Sequence, residues 1–185
     1  MRAVVALLLV AAAPAPGPER PLLAPTREVS VLYQVSSSPT KAYEIRITSQ
    51  PGNARRRIDL PDKNYLVVDQ AAQRMVMVSP FEGTVIEVPW SSGLGLQFTL
   101  DQQMHFVRRS SATIAGLRCT TYTVRTPTTF GEVCVTDDGV MLRTLAQNAA
   151  GERTAIEAIS VSFTPAPKSD YAPPPDFQRV APAQP

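Results

Sequence analysis

Cys119, Cys134 and the single histidine, His105, are the residues of this 185-residue chain best equipped for chemistry. A redox or metal-binding pair of cysteines needs closer spacing, as in C-x-x-C, or further ligands, and the chain has neither. His105 sits in "MHFVRR" beside Arg108 and Arg109, with no G-x-S-x-G elbow to supply a nucleophile. Ser38 and Lys41 match S-x-x-K by letters, but Pro39 puts them in a turn rather than on one helical face. Asp137 and Asp138 read as the hairpin turn "TDDG" rather than a calcium loop. "GLGLQF" (93–98) has too few glycines for a dinucleotide site and lacks its strand–helix setting. The sequence therefore predicts no catalytic residue, no metal site, no cofactor and no enzyme.

The two cysteines are better explained by a disulfide. "CTTYTV" and "TFGEVCV" are rich in Thr, Val, Tyr and Phe, which suit strands, and "RTPT" between them holds the turn-forming Pro127. A turn at 125–128 sets 124 against 129, and counting back sets Cys119 against Cys134. On that register Thr121 and Thr123 share the cysteine face, while Tyr122 and Val124 point the other way, toward the core. Closing a loop of this length contributes about 3 kcal/mol in the chain-entropy model.

A disulfide requires an oxidising compartment, and the N-terminus supplies the address. "MRAVVALLLVAAAPAPGPE" has an early positive charge, an apolar run too short to span a bilayer, then small residues. It reads as a signal peptide, 1–12, and implies a periplasmic protein without a transmembrane segment. Twelve of the 18 prolines lie between Pro14 and Pro25 or between Pro165 and Pro185. These stretches read as a Pro-rich N-terminal arm, 13–26, and a Pro-rich C-terminal tail, 165–185, flanking a folded body at 27–164. The net charge of +2 gives no dense basic stripe and argues against nucleic acid.

Nearly all of that body reads as strands. Tyr43, Ile45 and Ile47 alternate with Glu44, Arg46 and Thr48, the period of a strand with one wet face. Met75 and Met77 alternate with Val76 and Val78, so that strand is predicted to be covered on both faces. No helical period lasts three turns, although 91–103 has room for a short helical turn. The triplet Arg55–Arg57 reads as a solvated sheet edge, with anionic lipid headgroups as a sharper alternative. The fold class is mainly β: an antiparallel meander of nine or ten strands, curled into an open half-barrel, with little helix and one hairpin disulfide.

"PLLAPTREVSVLYQV" after the leader, "IAGLRC" (114–119), "GEVCVTDDGVMLR" (131–143) and the closing "APPPDFQRV" (172–180) together resemble a family of exported bacterial proteins of unknown function. Its layout is similar to the lipoprotein-carrier fold of LolA and LolB, an open antiparallel half-barrel with an apolar concavity. The resemblance implies a non-catalytic carrier for a lipid or an acylated protein. Tyr65, Met75, Met77, Trp90 and Phe106 are the apolar residues on candidate inward faces. The alternative is an envelope scaffold whose Pro-rich tails dock another envelope protein, with no small-molecule ligand.

Proline follows Ala13, Ala15, Gly17 and Ala24, which makes each a poor cleavage site and leaves Ala12. N-terminal sequencing of the protein from the cell envelope is expected to begin at Ala13; a cytoplasmic protein that retains Met1 would contradict both the address and the oxidising compartment.

Overall fold

In a computed structural model of the chain, residues 19–38, 41–90, 99–125, 129–148 and 150–181 are described. The expected leader and the first part of the Pro-rich arm lie outside them, as do most of the 91–103 segment and the hairpin tip at 126–128.

The described residues form one 12-stranded sheet. Its strands are β1 (Val29–Ser38), β2 (Lys41–Ser49), β3 (Arg55–Asp59), β4 (Tyr65–Asp69), β5 (Arg74–Ser79), β6 (Thr84–Val88), β7 (His105–Ile114), β8 (Leu117–Arg125), β9 (Thr129–Val135), β10 (Met141–Asn148), β11 (Arg153–Ser162) and β12 (Gln178–Val180). Their spatial order is β12-β6-β5-β4-β3-β2-β1-β11-β10-β9-β8-β7. The protein is thus two meanders, β1–β6 and β7–β11, joined where β1 pairs antiparallel with β11. Every pairing is antiparallel except that of β12 with β6. The sheet is open, and its curl brings β7 within reach of β11 although three strands separate them in order.

Local sequence accounts for most of the turns. Between β7 and β8, Ala115 and Gly116 both take positive φ, 48° and 77°, the backbone of a two-residue hairpin loop whose twist suits the strands. "TDDG" does turn the chain before β10: the Gly139 amide donates to the Thr136 carbonyl and the Val140 amide to Thr136 Oγ1. Asp138 in this turn also takes an ion pair from Arg27 at 2.9 Å, and its carbonyl accepts from the Thr26 amide, which ties down the N-terminal arm.

Met75, Val76 and Val78 are buried, so β5 is covered on both faces as its composition predicts. One face belongs to the principal core, where Val31, Ile47, Ile58, Leu66 and Met75 meet. The other belongs to a second cluster of Tyr65, Val67, Val76, Val78 and Val85, packed by Phe177. The cover on this second face therefore comes from the Pro-rich tail. The tail is expected to lack regular structure; instead it holds a 3-10 turn at Lys168–Tyr171 and the proline-free strand β12. Its anchor is Glu28, whose Oε1 accepts from the Ala166 amide at 2.7 Å and from the Tyr171 hydroxyl at 2.8 Å. Tyr171 is buried, and burial first, then Glu28, holds its phenol well above the ordinary tyrosine range.

The Cys119–Cys134 disulfide is present, with Cα atoms 5.5 Å apart. The strands register two residues away from the predicted count, because Cys134 faces Thr121 and Thr120 faces Val135. A slip of two preserves which face each side chain occupies, so the cysteines still meet, diagonally. The sulfurs lie in the principal core, while Tyr122 and Val124 join a third cluster with Leu100, Val133 and Val135. Both faces of β8 are apolar here, not only the face of Tyr122.

The arginine triplet departs from expectation. β3 lies inside the sheet between β2 and β4, not at an edge. Arg55 pairs with Asp69 at 3.2 Å, and Arg57 pairs with Asp59 at 2.7 Å while its guanidinium lies 3.7 Å above the Tyr65 ring. Arg56 points inward and is only 1% exposed. Alternation forces this: Arg56 pairs with Val68 and Ser49, on the face that also carries Val29 and Met75. Burial lowers its pKa, an effect opposed by nearby Tyr33. Tyr33 is itself pushed far up by burial, and its hydroxyl donates to the Met141 carbonyl at 2.6 Å.

The folded pKa values of Tyr33 and Tyr171 are both raised above the unfolded value of about 10. The native state holds these protons more tightly, so their contribution is complete below about pH 10 and is lost as pH rises beyond it. The urea midpoint is expected to fall between pH 9 and 11, and Tyr171→Phe should flatten that fall while costing about 1–2 kcal/mol at pH 7. An identical slope in the variant would remove Tyr171 from the account.

Candidate functional site

Two openings lie along β9, β10 and β11. One is a cavity of about 380 Å³, lined by Val124, Val133, Met141, Thr144 and Ile156 from the sheet and by Leu100 and Met104 from the segment entering β7. A wider groove of about 980 Å³ lies between the start of β9, the end of β10 and the start of β11, where Phe130, Leu145 and Arg153 stand. Gly131, Glu132, Leu145, Ala146 and Thr154 line both, but the pairing of Thr144 with Val133 and Ile156, and of Gln147 with Phe130 and Arg153, sets the cavity's side chains and the groove's on opposite faces of the sheet. The apolar depression is the cavity, and its volume lies within the range of small-ligand pockets.

The local sequence explains the shape. Gly131 pairs with Val124 on one side and Ala146 on the other. A Cβ at Gly131 would fall 2.2 Å from the Leu145 carbonyl oxygen, so glycine allows β9 and β10 to approach and leaves the floor bare. Register shifts at Leu32/Tyr33 of β1 and Met141/Arg143 of β10 flank the depression and bend the strands that form its floor. The rim is held by Asp101, whose Oδ1 accepts from the amides of Gln103 at 2.7 Å and Met104 at 3.1 Å. Arg20 adds a bond to the Gln102 carbonyl at 2.6 Å and lies over the Phe106 ring.

The lining is apolar with a few polar groups: Thr99, Thr144, Thr154 and Glu132. Thr144 Oγ1 donates to Met141 Sδ at 3.0 Å, leaving the cavity wall mostly methyl and thioether. The two methionines give it adaptable packing. Such a surface can hold an apolar group by exclusion of water. Among the described residues, no three of His, Cys, Asp or Glu gather as metal ligands. His105 is exposed on β7 opposite Arg125.

The five apolar residues singled out in the sequence do not converge. Met75 is buried in the principal core, and Met77 and Trp90 pack against it. Tyr65 faces the opposite side of the sheet, under the tail. Phe106 packs edge-on to Tyr122 at 6.2 Å beside the third cluster. None of the five lines the depression. Its wall residues Leu100, Met104, Val133, Met141 and Ile156 read in sequence as ordinary strand and loop. The one available signal was Gly131, a glycine inside a strand pattern, which marks a close backbone approach.

The architecture is that of an open, mostly antiparallel half-barrel bearing an apolar depression. No family model and no curated protein matches the sequence. Among solved structures the chain is similar to MucB of Pseudomonas aeruginosa, in its complex with MucA, with TM-score 0.47 and 14% identity over 83% of this chain. It spans 58% of that MucB chain, a little over half. It is also similar to the LolA superfamily protein NE2245 from Nitrosomonas europaea, with TM-score 0.44 and 11% identity over 80% of this chain and 91% of the other. A DUF1329 family protein from Desulfovibrio piger gives TM-score 0.42 at 11% identity, covering 79% of this chain and 89% of the other.

Gly131→Ala is expected to lower stability by about 1–3 kcal/mol, because the new methyl meets backbone rather than a movable side chain. Urea unfolding reads this directly; an unchanged midpoint would show that β9 and β10 separate freely and that the floor is not set by this contact.

Proposed function

We propose that the protein is a non-catalytic, periplasmic binding module that holds an apolar ligand, a lipid or the acyl group of a protein, in the depression over β9–β11. The observation that carries this reading is the 380 Å³ cavity with its wall of Leu100, Met104, Val124, Val133, Met141 and Ile156. A close-packed sheet protein has no need of a void that size, and an apolar void open to water favours an occupant that displaces the water. The disulfide and the leader-like N-terminus support export, with the signal peptide ending at residue 12. The mature chain then consists of an N-terminal arm, a body from about residue 27 to 164 that carries β1 to β11, and the C-terminal tail, which adds β12. The alternative of a scaffold docking through its tails is less favoured, because the C-terminal tail is already engaged by Glu28 and by β6.

Mass spectrometry of an organic extract of the purified mature protein should reveal a bound lipid, and the delipidated protein should enhance the fluorescence of anilinonaphthalene sulfonate. Ala146→Trp places an indole in the cavity, opposite the bare Gly131. It should weaken probe binding at least tenfold while the melting temperature stays within a few degrees. Absence of lipid together with absence of probe binding would overturn the reading, as would full probe binding by a folded Ala146→Trp protein.

A further inference from the structure

The two edges of the sheet are unlike. At one, β12 closes β6 with the chain's own tail. At the other, β7 pairs only with β8, and among the described residues no backbone group bonds to its outer side. β7 is ten residues long, and a bulge between Arg108 and Ser111 divides it into two short regular stretches, His105–Arg108 and Ser111–Ile114. An open ladder of this kind is a template for another strand.

Charge decides what can use it. The hairpin from His105 to Arg125 carries four arginines, Arg108, Arg109, Arg118 and Arg125, and no carboxylate, although the whole chain is nearly balanced at +2. None of the four has a carboxylate within ion-pair distance among the described residues, whereas Arg55 pairs with Asp69, Arg57 with Asp59, Arg74 with Glu87 and Arg143 with Glu157. The four are not gathered on one flat side. Arg108 lies opposite Tyr122, on the face of the third cluster, and Arg109 reaches Thr123 Oγ1 at 2.9 Å, on the other face. A flat anionic membrane would meet only one of these faces. A strand laid along β7 would send alternate side chains to both. A second copy of this chain, edge to edge, would bring arginine against arginine.

We propose that the outer edge of β7, over His105–Arg108, docks an extended acidic segment of a partner protein, which adds to the sheet as a further strand. Backbone bonds to the edge give affinity; Arg108 selects a carboxylate on one face of the added strand, and Arg109, with Arg125 opposite His105, selects carboxylates on the other. Val107, 39% exposed in the middle of the stretch, offers an apolar contact for a residue between the acidic ones.

The probe is a ten-residue peptide repeating Glu-Glu-Val-Val, which sends carboxylates to both faces of an added strand, with the same repeat in Lys and Val and a Glu–Val peptide N-methylated at alternate residues as controls. Binding to the mature protein is followed by fluorescence anisotropy, and the footprint by amide hydrogen exchange. The Glu–Val peptide should bind and slow exchange within His105–Arg108. The Lys–Val and N-methylated peptides, and the Arg109→Glu/Arg125→Glu protein, should each bind at least tenfold more weakly. Raising NaCl from 50 to 300 mM should weaken the parent complex as the pairing charges are screened. The proposal is overturned if the Glu–Val peptide fails to bind or if the N-methylated peptide binds equally. It is also overturned if protection falls outside β7, or if phosphatidylglycerol vesicles rather than the peptide bind in an Arg109- and Arg125-dependent way. Should the double variant not fold, the N-methylated peptide and the exchange footprint still decide the matter.

Discussion

The pairing of β1 with β11 is the constraint on which the rest of the molecule depends. It joins Val31 to Val161 and Val35 to Ile156, residues separated by most of the chain, and it makes one sheet out of two meanders. Without it the principal core would be cut in two, because that core draws Val31, Ile47 and Ile58 from one side of the seam and Cys134, Leu142 and Ile156 from the other. The closure entropy of so long a loop rises only slowly with length, so apolar burial along the seam is enough to offset it. The register shift at Leu32/Tyr33 falls on this seam, so the bend that shapes the depression originates in the same pairing that closes the fold.

Much of the sheet was legible because alternation is a local property. The presence of β2 and of the strands around the disulfide follows from their own residues, and Met75–Val78 declare a strand buried on both sides. The cysteines could be paired even from a register two residues away, since such a slip leaves the faces unchanged. What could not be read was which strand lies beside which when they are distant in sequence. Arg55–Arg57 looks like an edge because charge usually is one, and only the placement of β3 between β2 and β4 turns Arg56 inward. The candidate site was illegible for the same reason. Its wall takes Leu100, Val133 and Ile156 from three separate stretches, each of which looks like ordinary core on its own, whereas Met75 and Trp90 look like a pocket and are core.

The interior is also more polar than its composition suggests. Arg56 is buried beside Tyr33, with Asn53 and Ser49 around a hollow of about 30 Å³, room enough for one or two waters. A charge in such a place is held by its neighbours rather than by solvent. Tyr33 extends this polar centre to the Met141 carbonyl, which sits at the inner wall of the depression. The packed core and the open cavity thus share a wall.

The seam also orders events in time. A chain made N-terminus first delivers β1 early and β11 late, and β1 has β2 on one side but nothing on the other until residue 162 has arrived. During that interval the half-sheet has a bare ten-residue border, VSVLYQVSSS. The hairpin that carries the two sulfurs is complete within this interval and is locally self-sufficient. Folding of this chain is therefore a wait of its first strand for its last long one, and whatever guards the unfinished sheet must guard β1.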